Sequence, residues 1–195
     1  MRSRDWSLVF LTILSQASIG MVLCLTGLVH FSGEGGSRAE ILVLLALILI
    51  GVATASSFFH LGNPANAPKA LRNLTGSWLS REILAIGVFS TSLVITLLLS
   101  WKTGSAQYLK PLMLLSSISG LALLWTMSRI YVMPTIPAWN SWHTPLSFVS
   151  TALSLGVITL MVLHANEAIT IAAHIIRVFY ISLIAILLTE TIAGG

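Results

Sequence analysis

Ser7–Val29 reads SLVFLTILSQASIGMVLCLTGLV, twenty-three residues without a charged side chain. A helix rises about 1.5 Å per residue and a bilayer's hydrocarbon core is about 30 Å thick, so about 20 apolar residues suffice to cross it. Five further stretches of similar character follow: Ile41–Phe59, Ile83–Trp101, Pro111–Val132, Leu146–Leu163 and Ala168–Ala193. They are rich in Leu, Ile, Val, Ala, Ser and Gly and do not alternate in polarity as β-barrel strands would. Small residues recur within them, such as Ser18 with Gly20, and Ser116 with Ser119 and Gly120. Such residues let helices approach closely in lipid. The expectation is an all-α integral membrane protein, one bundle of about six transmembrane helices spanning residues 1–195.

Composition agrees. The chain is 56% hydrophobic and 8% charged, with a mean hydropathy of +0.94. A soluble domain carries about 25% charged residues, so most of this surface must face lipid. The net charge is +4, but the cations stand singly at segment ends and in connections. They form no basic stripe, so nucleic acid is not an expected partner. The one cysteine, Cys24, lies inside the first segment. One thiol makes no internal disulfide and holds neither an iron–sulfur cluster nor a structural zinc ion. The first segment is longer than a signal-peptide core and lacks a clear small-residue cleavage site, so it reads as a retained helix.

The connections differ. His30–Glu40 carries Gly33, Gly35 and Gly36 and reads as a turn. Lys102–Lys110 is a polar hairpin, and His164–Glu167 is short. Two are longer and richer: His60–Glu82, with Pro64 and Pro68, and Tyr131–Pro145, with Pro134, Pro137, Trp139 and Trp142. Function concentrates on connections of this kind. Both follow even-numbered helices and so share one face with the N-terminus. That face holds Arg2, Arg4, Lys69, Arg72, Arg81 and Arg129, against Arg38, Lys102 and Lys110 opposite. The positive-inside rule favours the cytoplasm for the rich face, but basic residues that dock an acidic partner would give the same count, so the charges leave the side open.

Ionisable groups near membrane depth are expensive, so each is a candidate. His60 closes the second segment and Glu82 opens the third. A His and a carboxylate at one membrane level have the chemistry to accept and pass protons, and a quinol that gives up two electrons also loses two protons. Each has a plainer role open to it. His60 can snorkel to water, and Glu82 can favour a helix N-terminus with Ser80 near the cap. Arg129 and Tyr131 close the fourth segment, where the arginine can pair with Glu82, hold a quinone oxygen or reach headgroups. Trp125, Trp139 and Trp142 suit an aromatic belt or the wall of a pocket for a flat headgroup. In the sixth segment His174 and Arg177 share a face, and the true span is expected to begin near Arg177. Bis-histidine haem needs two histidines deep in facing helices. His60, His143 and His164 all sit at segment edges, so haem is not expected.

The runs His60-Leu61-Gly62-Asn63-Pro64 and Leu79-Ser80-Arg81-Glu82 resemble motifs of the DMSO reductase anchor subunit family. That family shows an H-L-G-x-P motif after its second helix and an S-x-E motif opening its third. Met127-Ser128-Arg129-Ile130-Tyr131, with Ile136-Pro137-Ala138-Trp139 and Thr144-Pro145, resembles its next motif. The resemblance implies a membrane subunit of a respiratory molybdoenzyme complex in the cytoplasmic membrane of a prokaryote. It implies a molybdopterin catalytic subunit and a four-cluster iron–sulfur subunit as partners. It also implies menaquinol as the electron donor, oxidised only with those partners in place, and no haem or cluster in this chain. His60 and Glu82 then fall at quinol-site positions, with Arg129 and Tyr131 matching less closely. The family architecture has eight helices and this sequence offers six, so it is either truncated or a short member.

Two other classes compete. A transporter or channel places polar groups near the bilayer midplane, often in repeated halves, whereas here the polar groups are read as clustering at one face, the helix centres as bland, and no repeat is evident. A haem-bearing cytochrome subunit would declare itself in an absorbance spectrum.

Overall fold

A computed structural model describes residues 3–31, 39–58, 71–103, 106–132 and 140–165, together with 177, 178, 180, 181, 184 and 188. It contains α1 (Ser3–Phe31), α2 (Ala39–Phe58), a single 3-10 turn (Leu71–Asn73), α3 (Trp78–Thr103), α4 (Ala106–Tyr131) and α5 (His143–Ala165). All five α-helices are long and apolar enough to cross a membrane. With no strand among the described residues, the chain is an all-helical, multi-pass membrane bundle. The sixth expected segment, Ala168–Ala193, lies mostly outside the described residues. Within it Arg177, Val178, Tyr180, Ile181, Ile184 and Leu188 are helical, while His174 falls outside the description.

α1 is the central helix and packs against α2, α4 and α5, while α3 packs against α2 and α4. The interior is filled by Ile19, Met21 and Val22 of α1, Val43 and Ile50 of α2, Phe89 and Leu93 of α3, Met113, Leu123 and Leu124 of α4 and Leu160 of α5. Cys24 is buried among them. Apolar residues also cover the outside: Ile41, Leu44, Ile48 and Val52 along α2, and Leu114, Ile118, Leu121 and Trp125 along α4, are exposed. Meanwhile Ser18, Thr96, Ser116 and Ser128 are buried. Polar inside and apolar outside is the distribution that a lipid solvent selects.

Where α1 meets α5 the backbones touch. A Cβ on Gly20 would strike the Ala152 carbonyl oxygen, and one on Gly156 would strike the Gly20 carbonyl group. Gly120 on α4 serves a related purpose, since a Cβ there would lie 2.9 Å from Ile19 Cγ2 and 3.2 Å from Phe89 Cε2. The helix bounds exceed what hydropathy alone marks. α4 begins at Ala106 rather than Pro111, so the proline sits inside its second turn, where it forfeits one backbone hydrogen bond.

Candidate functional site

The site region is organised by the start of α3. The Ser77 amide donates to the Asn73 carbonyl at 3.0 Å, and the Ser80 amide donates to Ser77 Oγ at 3.4 Å. Ser77 is therefore the N-cap. Arg81 turns back and donates from Nε to the Leu74 carbonyl at 2.7 Å and from Nη2 to the Thr75 carbonyl at 2.8 Å. Those bonds tie the preceding turn to the helix. The helix thus opens at Trp78, five residues before Ile83, where hydropathy marks its start. The polar trio Ser80-Arg81-Glu82 conceals this from a hydropathy window. Ser80 is not the cap, and Glu82 lies beyond the first turn, inside the helix and only 6% exposed. Helix-dipole stabilisation fades within the first turn, so it does not account for a carboxyl buried here.

The chain's up-and-down course gathers five helix termini at this end. Ser56 near the end of α2 donates to the Ser7 carbonyl at the start of α1 at 3.4 Å. Tyr131 at the end of α4 has its hydroxyl 3.4 Å from Thr12 Oγ1 of α1, and its ring lies 5.4 Å from that of Phe148 in α5. Trp78 at the start of α3 lies under Arg129 of α4, with Cζ 5.2 Å from the ring centre. Glu82, Arg129 and Tyr131 are thus brought to one end of the bundle. Tyr131 faces α1 and α5, whereas the Arg129 guanidinium faces Trp78 and Trp125. His60 lies outside the described residues; α2 is described to Phe58, two positions earlier.

Two features of this end are not obvious in the sequence. Trp78 sits between the second and third apolar segments and carries two arginines. His143, the first residue of α5, packs its ring 4.1 Å from Trp142 and has a buried Nδ1 without a hydrogen-bond partner among the described residues. Its place in the proline- and tryptophan-rich connection was the available signal.

The helix centres also carry more polar contact than expected. Ser92 and Ser119 hydroxyls lie 3.1 Å apart, and those of Thr96 and Ser116 3.2 Å, joining α3 to α4. Thr26 Oγ1 lies 2.7 Å from Ser117 Oγ, joining α1 to α4. Ser92, Thr96 and Ser119 also have carbonyls of their own helices within reach. Each hydroxyl has one proton, so a pair acts as interhelical glue when one member donates across the seam and the other accepts.

A multi-helix membrane bundle in a single polypeptide, with its buried carboxyl and its arginines at one end, is the class this structure defines. The sequence model of the family described as DMSO reductase anchor subunit (DmsC) matches residues 1–193, and the chain belongs to that family. It is 31% identical over 158 residues to the anaerobic dimethyl sulfoxide reductase protein YnfH of Escherichia coli (strain K12), covering 79% of this chain and 55% of that one. It is 29% identical over 159 residues to one of the polypeptides of the anaerobic dimethyl sulfoxide reductase of Haemophilus influenzae, covering 78% and 56%. It is 30% identical over 168 residues to one of the subunits of the sulfite dehydrogenase of Allochromatium vinosum, covering 77% and 51%. The chain spans about half the length of these curated relatives. No solved structure matches it.

Proposed function

We propose that this chain is the quinol-oxidising membrane subunit of a respiratory molybdoenzyme complex in a prokaryotic cytoplasmic membrane. It anchors a molybdopterin catalytic subunit through a four-cluster iron–sulfur subunit. Family membership supports the anchoring role. The observation that carries the chemistry is the burial of Glu82 at the end of the bundle that also holds Arg129 and Tyr131. A carboxyl kept from water at membrane depth, with no first-turn role, suits proton acceptance.

Menaquinol would enter from the bilayer at this end, and its two hydroxyl protons would pass to Glu82 and His60. Its two electrons would go directly to the nearest cluster of the iron–sulfur partner. Tyr131, its hydroxyl beside Thr12, and Arg129 wall the site. The terminal substrate belongs to the catalytic subunit. The relatives differ on this point, two being named for dimethyl sulfoxide reductase and one for sulfite dehydrogenase.

The test is quenching of a fluorescent quinol analogue, a hydroxyquinoline N-oxide, on membranes containing the chain with its partner subunits. Saturable binding weakened about tenfold or more by His60→Ala and by Glu82→Gln is expected. Binding indifferent to both changes would remove the quinol site from this end.

A further inference from the structure

Trp78 is where two cations meet. Its ring centre lies 4.2 Å from Arg81 Cζ and 5.2 Å from Arg129 Cζ, and Arg129 Cζ is also 5.7 Å from the Trp125 ring. The ring faces attract each guanidinium but do not cancel the repulsion between them. Among the described residues neither arginine has an acidic partner. Arg81 uses two of its five donors on the Leu74 and Thr75 carbonyls. Arg129 Nε is buried and has no hydrogen-bond partner among the described residues. An orphaned donor on a cation is costly unless something outside the protein satisfies it. Among the described residues the cluster lacks an anion.

Its depth says which anion. Trp78 and Arg81 open one membrane span and Arg129 closes the next. Tryptophan and arginine at span ends mark the headgroup level. Deeper toward the bilayer centre the flanking surface turns apolar, with Leu84 and Val88 of α3 and Ile118 and Leu121 of α4 all exposed. A guanidinium fork matches the paired oxygens of a phosphate, and basic pockets between membrane helices lodge anionic headgroups.

We propose that Arg81, Trp78 and Arg129 form a binding site for the phosphate of an anionic phospholipid, whose acyl chains lie along the exposed α3–α4 surface. A phosphate from solution would gain nothing from that surface. An acidic side chain of a docked protein would approach from above the bilayer, away from it. Arg129 is shared with the wall of the proposed quinol site, but the lipid site rests on the Arg81–Trp78–Arg129 cluster itself and its binding is read without quinol. A lipid here would close the α3–α4 side of the bundle.

Native mass spectrometry of the full chain tests this, with phosphatidylglycerol and phosphatidylcholine added in turn. One phosphatidylglycerol should remain bound under activation that strips phosphatidylcholine, and it should raise thermal stability where phosphatidylcholine does not. Arg129→Gln breaks no hydrogen bond within the described protein and should weaken phosphatidylglycerol about five- to tenfold, and Arg129→Lys should restore most of the loss. A second measurement needs no variant: chain-brominated phosphatidylglycerol should quench tryptophan fluorescence at lower mole fraction than brominated phosphatidylcholine. Equal retention or equal quenching by the two lipids overturns the proposal, as does equal stabilisation by inorganic phosphate alone. If Arg129→Gln releases the partner subunits while phosphatidylglycerol binding is unchanged, the ligand is an acidic protein side chain and the lipid site is ruled out.

Discussion

Gly20 of α1 and Gly156 of α5 face each other so closely that neither has room for a Cβ. Alanine normally gains on glycine in a helix by about 1 kcal/mol. Here it must push two backbones apart, and overpacking costs about 1–3 kcal/mol. Gly20→Ala or Gly156→Ala should therefore destabilise the bundle in detergent–denaturant unfolding. Gly51→Ala and Gly87→Ala, where nothing lies within 4 Å of the added Cβ, should be neutral or slightly stabilising. Equal effects at all four positions would show that the α1–α5 contact is looser than the structure has it.

The Thr26–Ser117 contact, 2.7 Å between hydroxyls of α1 and α4, invites a double-mutant cycle. Interhelical hydrogen bonds in lipid couple by about 0.6 kcal/mol on average, with a maximum near 1.7. Thr26→Val and Ser117→Ala should show a coupling in that range. Thr26 also lies 3.2 Å from the Met113 carbonyl, so Thr26→Val alone should cost more than Ser117→Ala. A coupling indistinguishable from zero would mean that packing, not hydroxyl pairing, holds these two helices together.

The same segments show what the sequence can and cannot say. Charge-free length sufficed for the spans, because lipid tolerates little else, and the 23 residues from Ser7 to Val29 fall wholly inside α1. The start of α3 was hidden because Ser77, Ser80 and Arg81 read as polar connection. The bonds of Ser77 to Asn73, of Ser80 to Ser77, and of Arg81 to Leu74 and Thr75 make them helix and cap. Motif order pointed to Glu82, Arg129 and Tyr131, and the bundle brings all three to one end. Which way each points depends on side-chain packing that no linear spacing encodes: Arg129 faces Trp78 and Tyr131 faces Thr12. The paired hydroxyls of α3 and α4 were equally hidden, since serine and threonine in an apolar run look alike whether they meet a partner or only their own helix.

Arg81 supplies a third test. It closes two carbonyls in the turn before α3 with a charged donor, and such bonds contribute about 1.5–3 kcal/mol each. Arg81→Gln should loosen residues 74–77, raising hydrogen exchange at the Ser77 amide, which is bonded to Asn73, by about tenfold or more. Lysine, a single point donor, should recover only part of the protection. Exchange unchanged in Arg81→Gln would mean that the Ser77 cap alone holds the turn.

Glu82 separates a structural from a chemical role through two readouts on one variant. If the carboxylate served the helix dipole, Glu82→Gln would lower stability by about 0.3–1 kcal/mol. Beyond the first turn and 6% exposed, it instead bears the cost of removing a carboxyl from water. Glu82→Gln should therefore leave unfolding unchanged or make it slightly harder. Quinol oxidation by the assembled complex should fall about a hundredfold, the scale on which a positioned proton acceptor contributes. Glu82→Asp keeps the acid but draws it back by one methylene, and it should recover part of the rate without altering stability. Lost stability with undiminished quinol oxidation would place Glu82 among the residues that build the bundle, and the proton acceptor would then have to be sought at His60 or at His143 across the same end.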